Sequence, residues 1–290
     1  MSAVELHYDL QEFVKEKGTL ADKLRLVAAG YRITDDERVT IIERLESILN
    51  EDGGVPFDLD VGNPSSVKET AEILALVSKF RKEHESLVRK LTSFLVSRQK
   101  GNGGFAETLN LDPFIEDKWG ESLGREFYPV GKSITWLTGK ALEALCLVKY
   151  EDEERLKRAR DYLVGLQYED GHWPDFEGQE VSDPLATGNI LPALKAVGVN
   201  DDSKVYEDGR AALFQHLKTS VERDWQYDMV DLSAVGRPIS DKETEVIRRG
   251  VELVVQTQSE DGGWSHAGTK KSDPELSSIL GYVVQHCGKF

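Results

Sequence analysis

A chain of 290 residues with 52 acidic and 36 basic side chains has a formal net charge of −16. It has no basic stripe to release counterions from a phosphate backbone, which excludes nucleic acid as a partner, and the charge also disfavours anionic lipid. No stretch approaches the roughly 18 apolar residues of a membrane helix, and the start of the chain has neither a basic nor an apolar leader, so a cytoplasmic protein without a transmembrane segment is expected.

Two cysteines, Cys146 and Cys287, make no disulfide framework; both sit among apolar helical neighbours and read as core residues. Near the N-terminus a helical segment precedes Asp35-Asp36, a pair that caps a helix beginning near Val39. From about Thr40 the chain repeats itself. Leu49-Asn-Glu-Asp-Gly-Gly-Val55 is a decayed first copy of a turn, and Thr70-Ala-Glu-Ile-Leu-Ala-Leu76 is the helix after it. Gln99-Lys-Gly-Asn-Gly-Gly-Phe105 is a second copy, followed by Thr138-Gly-Lys-Ala-Leu-Glu-Ala-Leu145.

Leu156, Ala159, Leu163 and Leu166 fall at helical spacing before Gln167-Tyr-Glu-Asp-Gly-His-Trp173, and Ser182-Asp183-Pro184 opens the helix of Leu185, Ile190, Leu191 and Leu194. Pro192 is expected to kink that helix. Asp224-Trp225 reads as a remnant of a further turn. Ile247, Val251 and Val254 lead into Gln258-Ser-Glu-Asp-Gly-Gly-Trp264, and Ser272-Asp273-Pro274 starts the last helix. Each unit is therefore a helix, a Gly-aromatic turn, a loop and a second helix. Gly accepts the left-handed stop, Asp serves as N-cap with Pro at the first helical position, and Gln is expected to bond carbonyls of its own final turn.

Self-similarity at this period predicts one supersecondary unit used repeatedly. The units run on without a linker, so residues 1–290 are expected to form a single domain, interrupted by an insertion over 105–132 that no other unit has. Phe114, Trp119, Phe127 and Tyr128 in this insertion favour packing over disorder, and Arg125, Lys118 and Lys132 are its cationic positions.

The Gln-x-x-Asp-Gly-x-Trp turn, followed by a capped helix ending in Ala-Leu, resembles the repeats of the terpenoid cyclases and protein prenyltransferase β-subunits. Squalene–hopene cyclase-like repeats are nearest in style. The resemblance covers most of the chain after residue 40. It implies an all-α fold, an α/α toroid of repeated antiparallel helix pairs around a central cavity, and a hydrophobic small molecule, an isoprenoid, as ligand. On that reading Trp136, Trp119, Phe127, Tyr128 and Arg125 are the ligand-binding candidates, with the aromatics placed to stabilise cationic intermediates.

The resemblance also supplies motifs to compare. Class II cyclases protonate an alkene with the middle acid of Asp-x-Asp-Asp-Thr-Ala. Aligning Thr187 with the motif's Thr puts Asp183 on the first acid, Leu185 on the donor and Ala186 on the last acid. The last unit gives Asp273-Pro274-Glu275-Leu276, and the first gives Ser66-Val67-Lys68-Glu69 with Lys at the donor position. Glu275, supported by Asp273, and Asp183 are the catalytic candidates. Against them, an Asp before Pro is an N-cap, and a helix N-terminus favours the ionised form. The prenyltransferase zinc site needs Cys two residues after Asp, where Leu185 and Glu275 stand instead. Asp35-Asp36 lacks the third acid of a diphosphate–magnesium cluster. No metal and no cofactor are expected. The competing reading is a non-catalytic toroid that binds a ligand or an unidentified protein partner; a sugar-active toroid would need paired carboxylates across a cleft.

Overall fold

A computed structural model describes residues 4–120, 126–199 and 201–290. The chain is organised as two compact units, Met1–Leu45 with Phe214–Phe290, and Glu46–Leu213. In the first, α1 (Leu10–Lys17), α2 (Leu20–Ala29) and most of α3 (Asp35–Ile48) come from the start of the chain. A 3-10 segment (Gln226–Val235), α11 (Asp241–Gln256) and α12 (Pro274–Cys287) come from its end. The second holds β1 (Val55–Pro56), β2 (Ser65–Ser66), α4 (Val67–Val77), α5 (Glu85–Ser97), α6 (Asp112–Trp119), α7 (Thr135–Leu147), α8 (Glu153–Val164) and α9 (Pro184–Ala196). Helix α10 (Lys204–Glu222) runs from the second unit into the first.

The first unit is built on α12, which packs against α1, α2, α11 and the 3-10 segment. Helix α2 starts with a reciprocal capping box between Thr19 and Asp22. Its buried Asp22 and Arg25 form an ion pair at 3.0 Å, and Ser278 of α12 donates to Asp22 at 2.9 Å. In the second unit α7 packs between α4 and α9, with α5 against α4 and α8 against α7. Helix α9 continues through Pro192 without a break.

The repeated turn is a defined hydrogen-bond device. Asp52, Asn102, Asp170 and Asp261 each accept from the backbone N–H two residues on, at 2.9–3.2 Å. The hydroxyl of Ser65, Ser133, Ser182 or Ser272, lying before the second helix, donates to the same side chain. In that helix Thr70, Thr138, Thr187 and Ser277 accept from the N–H of Val55, Phe105, Trp173 and Trp264 at 2.8–3.3 Å. Each of these hydroxyls also donates to the carbonyl four residues back. This satisfies the buried N–H of a chain segment that has left its helix. Trp173 and Trp264 are both 0% exposed, and each Nε1 donates at 2.7 Å to the preceding helix, at Leu163 and Val254.

Two expectations are corrected. The Gln side chains do not bond the final turn of their own helix. Nε2 of Gln99 and of Gln167 bridges the turn carbonyl of Gly103 or Gly171 to a carbonyl near the start of a later helix, Arg155 of α8 or Val205 of α10. Asp224-Trp225 is not a repeat turn either. Trp225 is 46% exposed, with Arg223 over its ring, and the chain passes directly into the 3-10 segment.

Candidate functional site

The N-terminus of α4 differs from those of α9 and α12. Those two carry their own caps: Asp183 accepts from Leu185 at 2.6 Å, and Asp273 from Leu276 at 2.8 Å. The N-cap of α4 is Ser66, whose side chain makes no cap bond. Its place is taken by Glu107, two residues beyond the aromatic of the next turn. Glu107 accepts from the N–H groups of Val67 (2.7 Å) and Lys68 (3.1 Å), from Ser66 Oγ (3.0 Å) and from the Tyr128 hydroxyl (2.7 Å). Helix orphans are thus satisfied by a carboxyl group from another repeat.

Burial pushes the Glu107 carboxyl up to about 7; the Val67, Tyr128 and Lys68 hydrogen bonds pull against it, while the charge of Glu69 adds to the rise. Glu69 lies in the first turn of α4 and is 4% exposed. Its Oε1 is 3.4 Å from Lys68 Nζ, and its buried Oε2 has no hydrogen-bond partner among the described residues. Tyr128 is held well above its ordinary pKa, first by burial and then by the charges of Glu107 and Glu69.

An aromatic wall adjoins the acids. Trp136, in the first turn of α7, meets Tyr128 edge-on at 4.9 Å. Tyr128 and Phe127 each lie 5.7 Å from Trp119 of α6, which reaches Phe57 at 6.1 Å, and Phe57 reaches Phe114 at 6.4 Å. Trp136 Nε1 donates to the Phe127 carbonyl at 3.0 Å, and Lys118 Nζ lies 4.8 Å from the Trp119 ring. The offset and edge-on geometry suits ring quadrupoles.

Of the residues singled out from sequence, Trp119, Phe127, Tyr128 and Trp136 come together here, and Arg125 lies outside the described residues. Asp183 and Asp273 act as helix caps, with His266 Nε2 3.8 Å from Asp273. Glu275 is exposed in the first turn of α12. Asp183 also faces Asp175, whose carboxyl is raised to about 7 by burial and then by that neighbouring charge. Sequence reasoning missed Glu107, Asp175 and the role of Glu69. The signal was in the repeat register: Glu107 and Asp175 both stand two residues after the turn aromatic, at Phe105 and Trp173.

No protein-family model matches the chain. Squalene–hopene cyclase of Alicyclobacillus acidocaldarius is 26% identical over 289 aligned positions, covering 87% of this chain and 43% of that protein. Over most of its length the chain is similar to members of the terpenoid cyclase-like superfamily. The lanosterol synthase of Saccharomyces cerevisiae is 33% identical over 101 residues, 34% of this chain and 12% of that one. The chain therefore spans less than half the length of either relative.

Two solved structures share the fold at a TM-score of 0.65. A protein from Actinoplanes is 13% identical, covering 93% of this chain and 90% of that chain. A variant of the type II terpene cyclase MstE from Scytonema, solved with its substrate geranylgeranyl dihydroxybenzoate, is 12% identical and covers 93% and 87%. The fold class is accordingly the all-α, α/α toroid one. Among the described residues no helix is long and apolar enough to cross a membrane.

Proposed function

We propose that this protein binds an isoprenoid-bearing ligand against the Trp119–Phe127–Tyr128–Trp136 wall, as a terpenoid cyclase-like protein whose acid is not on the repeat motif. The observation that carries the reading is the continuity of that wall with a buried carboxyl group at the start of α4. Aromatic faces accept apolar chain and stabilise positive charge. Leu185 and Ala186 occupy the motif's donor and last-acid positions, and Asp183 and Asp273 are committed to helix N-termini, where the ionised form is favoured. Glu275 remains as a solvent-facing acid.

The test is native mass spectrometry and tryptophan fluorescence with geranylgeraniol as probe. Binding is expected, weakened about tenfold or more when Trp119 and Phe127 are both replaced by Ala, a loss of about 1.4 kcal/mol or more. No binding, or equal binding by the double variant, would refute the wall as the site. The alternative is a non-catalytic scaffold. It draws support from the charges on the half-buried faces of α4 and α7, where Lys140 meets Glu72 at 2.9 Å. On that reading a ligand is bound and recovered unchanged.

A further inference from the structure

We propose that a polar cavity between the first two repeat turns of the Glu46–Leu213 unit is a phosphate-binding site, where Arg98, Lys100 and Asn110 hold the phosphate group of a soluble small molecule. The site is independent of the isoprenoid reading, since none of the aromatic wall's rings lines the cavity.

The cavity has a volume of about 690 Å³, a size that takes a small molecule. Its cations are peculiar to one copy of the repeat. Gln99 is flanked by Arg98 and Lys100, where the other turns have Leu49 and Glu51, Leu166 and Tyr168, and Thr257 and Ser259. The chain as a whole carries a net charge of −16 and repels anions at long range, so an anion is held only where donors are gathered locally.

The donors lining the cavity are not used up within the protein. The Arg98 side chain is 27% exposed, and its guanidinium lies against the Phe94 ring, 4.9 Å from the centroid. Its Nη2 stands 3.8 Å from Asp52 Oδ2, beyond hydrogen-bond distance, and its buried Nε has no acceptor among the described residues. The ring thus fixes the guanidinium without consuming its N–H groups. Lys100 is exposed, and its ammonium has no ion-pair partner among the described residues. Asn110 Oδ1 accepts from the Thr108 hydroxyl, which leaves the Asn110 amide N–H groups as donors.

The acids lining the cavity do not cancel these charges. Asp52 Oδ1 is held by the Gly54 N–H and the Ser65 hydroxyl. Both oxygens of Glu107 accept from the start of α4 and from Tyr128, and burial pushes its carboxyl up to about 7, so near neutral pH it carries part of a charge. A guanidinium, an ammonium and an amide from three residues suit the several oxygens of phosphate rather than the two of a carboxylate.

The test is calorimetric titration of the unmodified protein at low ionic strength, with inorganic phosphate as probe and acetate as competitor. Phosphate is expected to bind, and acetate to bind about tenfold more weakly or worse. Arg98→Gln and Lys100→Gln are each expected to weaken phosphate by about tenfold or more, the loss of a charge-assisted hydrogen bond. Lys157→Gln, which removes the same charge from an exposed position of α8, is expected to bind phosphate as the unmodified protein does. Lys100 is exposed, so Lys100→Gln decides the matter even if Arg98→Gln does not fold. No binding by the unmodified protein, undiminished binding by Lys100→Gln, or an equal loss in Lys157→Gln overturns the site. Equal binding of acetate overturns its assignment to phosphate. Geranylgeraniol is expected to leave phosphate binding unchanged, and its displacing phosphate would overturn the independence of the two sites. Failure of geranylgeraniol to bind refutes the aromatic wall alone.

Discussion

At the scale of single residues, the same position in the repeat carries different chemistry in different copies. Phe57, Glu107, Asp175 and His266 all stand two places after the turn's aromatic or its Val substitute. Glu107 reaches the start of α4 through its carboxyl group, and Asp175 reaches the start of α7 through its backbone carbonyl; neither helix has a side-chain cap of its own. The raised pKa of Glu107 has a consequence for stability. In the unfolded chain a Glu titrates near its ordinary value, while the folded carboxyl titrates at about 7. The folded state therefore binds the proton more tightly. The destabilisation is fully present above about pH 7 and is relieved as pH falls from there towards the unfolded value. Asp175 acts in the same direction over the same window. The expected outcome is that Glu107→Gln flattens the fall in stability between mildly acidic and mildly alkaline pH, by an amount on the order of a few kcal/mol. Denaturant melts across that range measure it, and parallel curves for the two proteins would contradict the assignment.

At the scale of elements, the legible part of the sequence is the part that repeats. The Gly-aromatic turns and the Ser-Asp-Pro helix starts identified the helix pairs, because capping and left-handed stops are local rules that residue type expresses directly. The partners of Gln99 and Gln167 were not legible, since the acceptors lie 56 and 38 residues away in sequence. The acid pair was hidden for a related reason. Glu69 was visible only as the last acid of a broken motif, and nothing near Glu107 in sequence announces that it caps a helix starting 40 residues earlier at Val67. Asp224-Trp225 misled in the opposite sense, matching a fragment of the turn without its glycine.

The turns themselves offer a controlled test. Gly103 has φ +94°, and a Cβ there would stand 2.2 Å from the Arg158 carbonyl oxygen of α8, whereas a Cβ on Gly101 meets nothing within 4 Å. Gly103→Ala is expected to cost several times more stability than Gly101→Ala, by about 2 kcal/mol or more, because positive φ and a backbone clash add. Thermal melts of the two variants decide it, and equal midpoints would show that the turn does not fix the approach of α8.

At the scale of the whole molecule, the last turn differs from its predecessors in the segment that its Gln engages. For Gln99 and Gln167 the bridged carbonyl belongs to the beginning of α8 or α10. The side chain of Gln258 instead engages the segment before α1. Its Nε2 donates to the Tyr8 carbonyl at 3.1 Å and to Gly262 at 2.8 Å, and its Oε1 accepts from the Tyr8 N–H at 3.0 Å. Gly262 completes the equivalence: a Cβ there would lie 2.4 Å from the Asp9 carbonyl, as Gly103 lies against Arg158. Helix α1 thus takes the position that α8 and α10 take for the earlier turns, and it buries Leu10, Phe13 and Val14. Beneath it Gly281 of α12 leaves room for Leu10, since a Cβ would stand 2.3 Å from a Leu10 methyl. The first helix in the sequence is therefore the structural successor of the last repeat.

Removing the chain through Lys17 is expected to destabilise Met1–Leu45 with Phe214–Phe290, exposing the face of α12 that α1 covers. Losing three buried apolar side chains is worth roughly 1.5–3 kcal/mol each before relaxation. Gln258→Ala, which removes the clasp and keeps the helix, is expected to cost about 1–3 kcal/mol. Hydrogen exchange separates the two effects: the truncation should raise exchange throughout α12, and Gln258→Ala chiefly around Tyr8 and the Gly262 turn. Unchanged protection of α12 in the truncated protein would show that the last repeat is complete without the first helix.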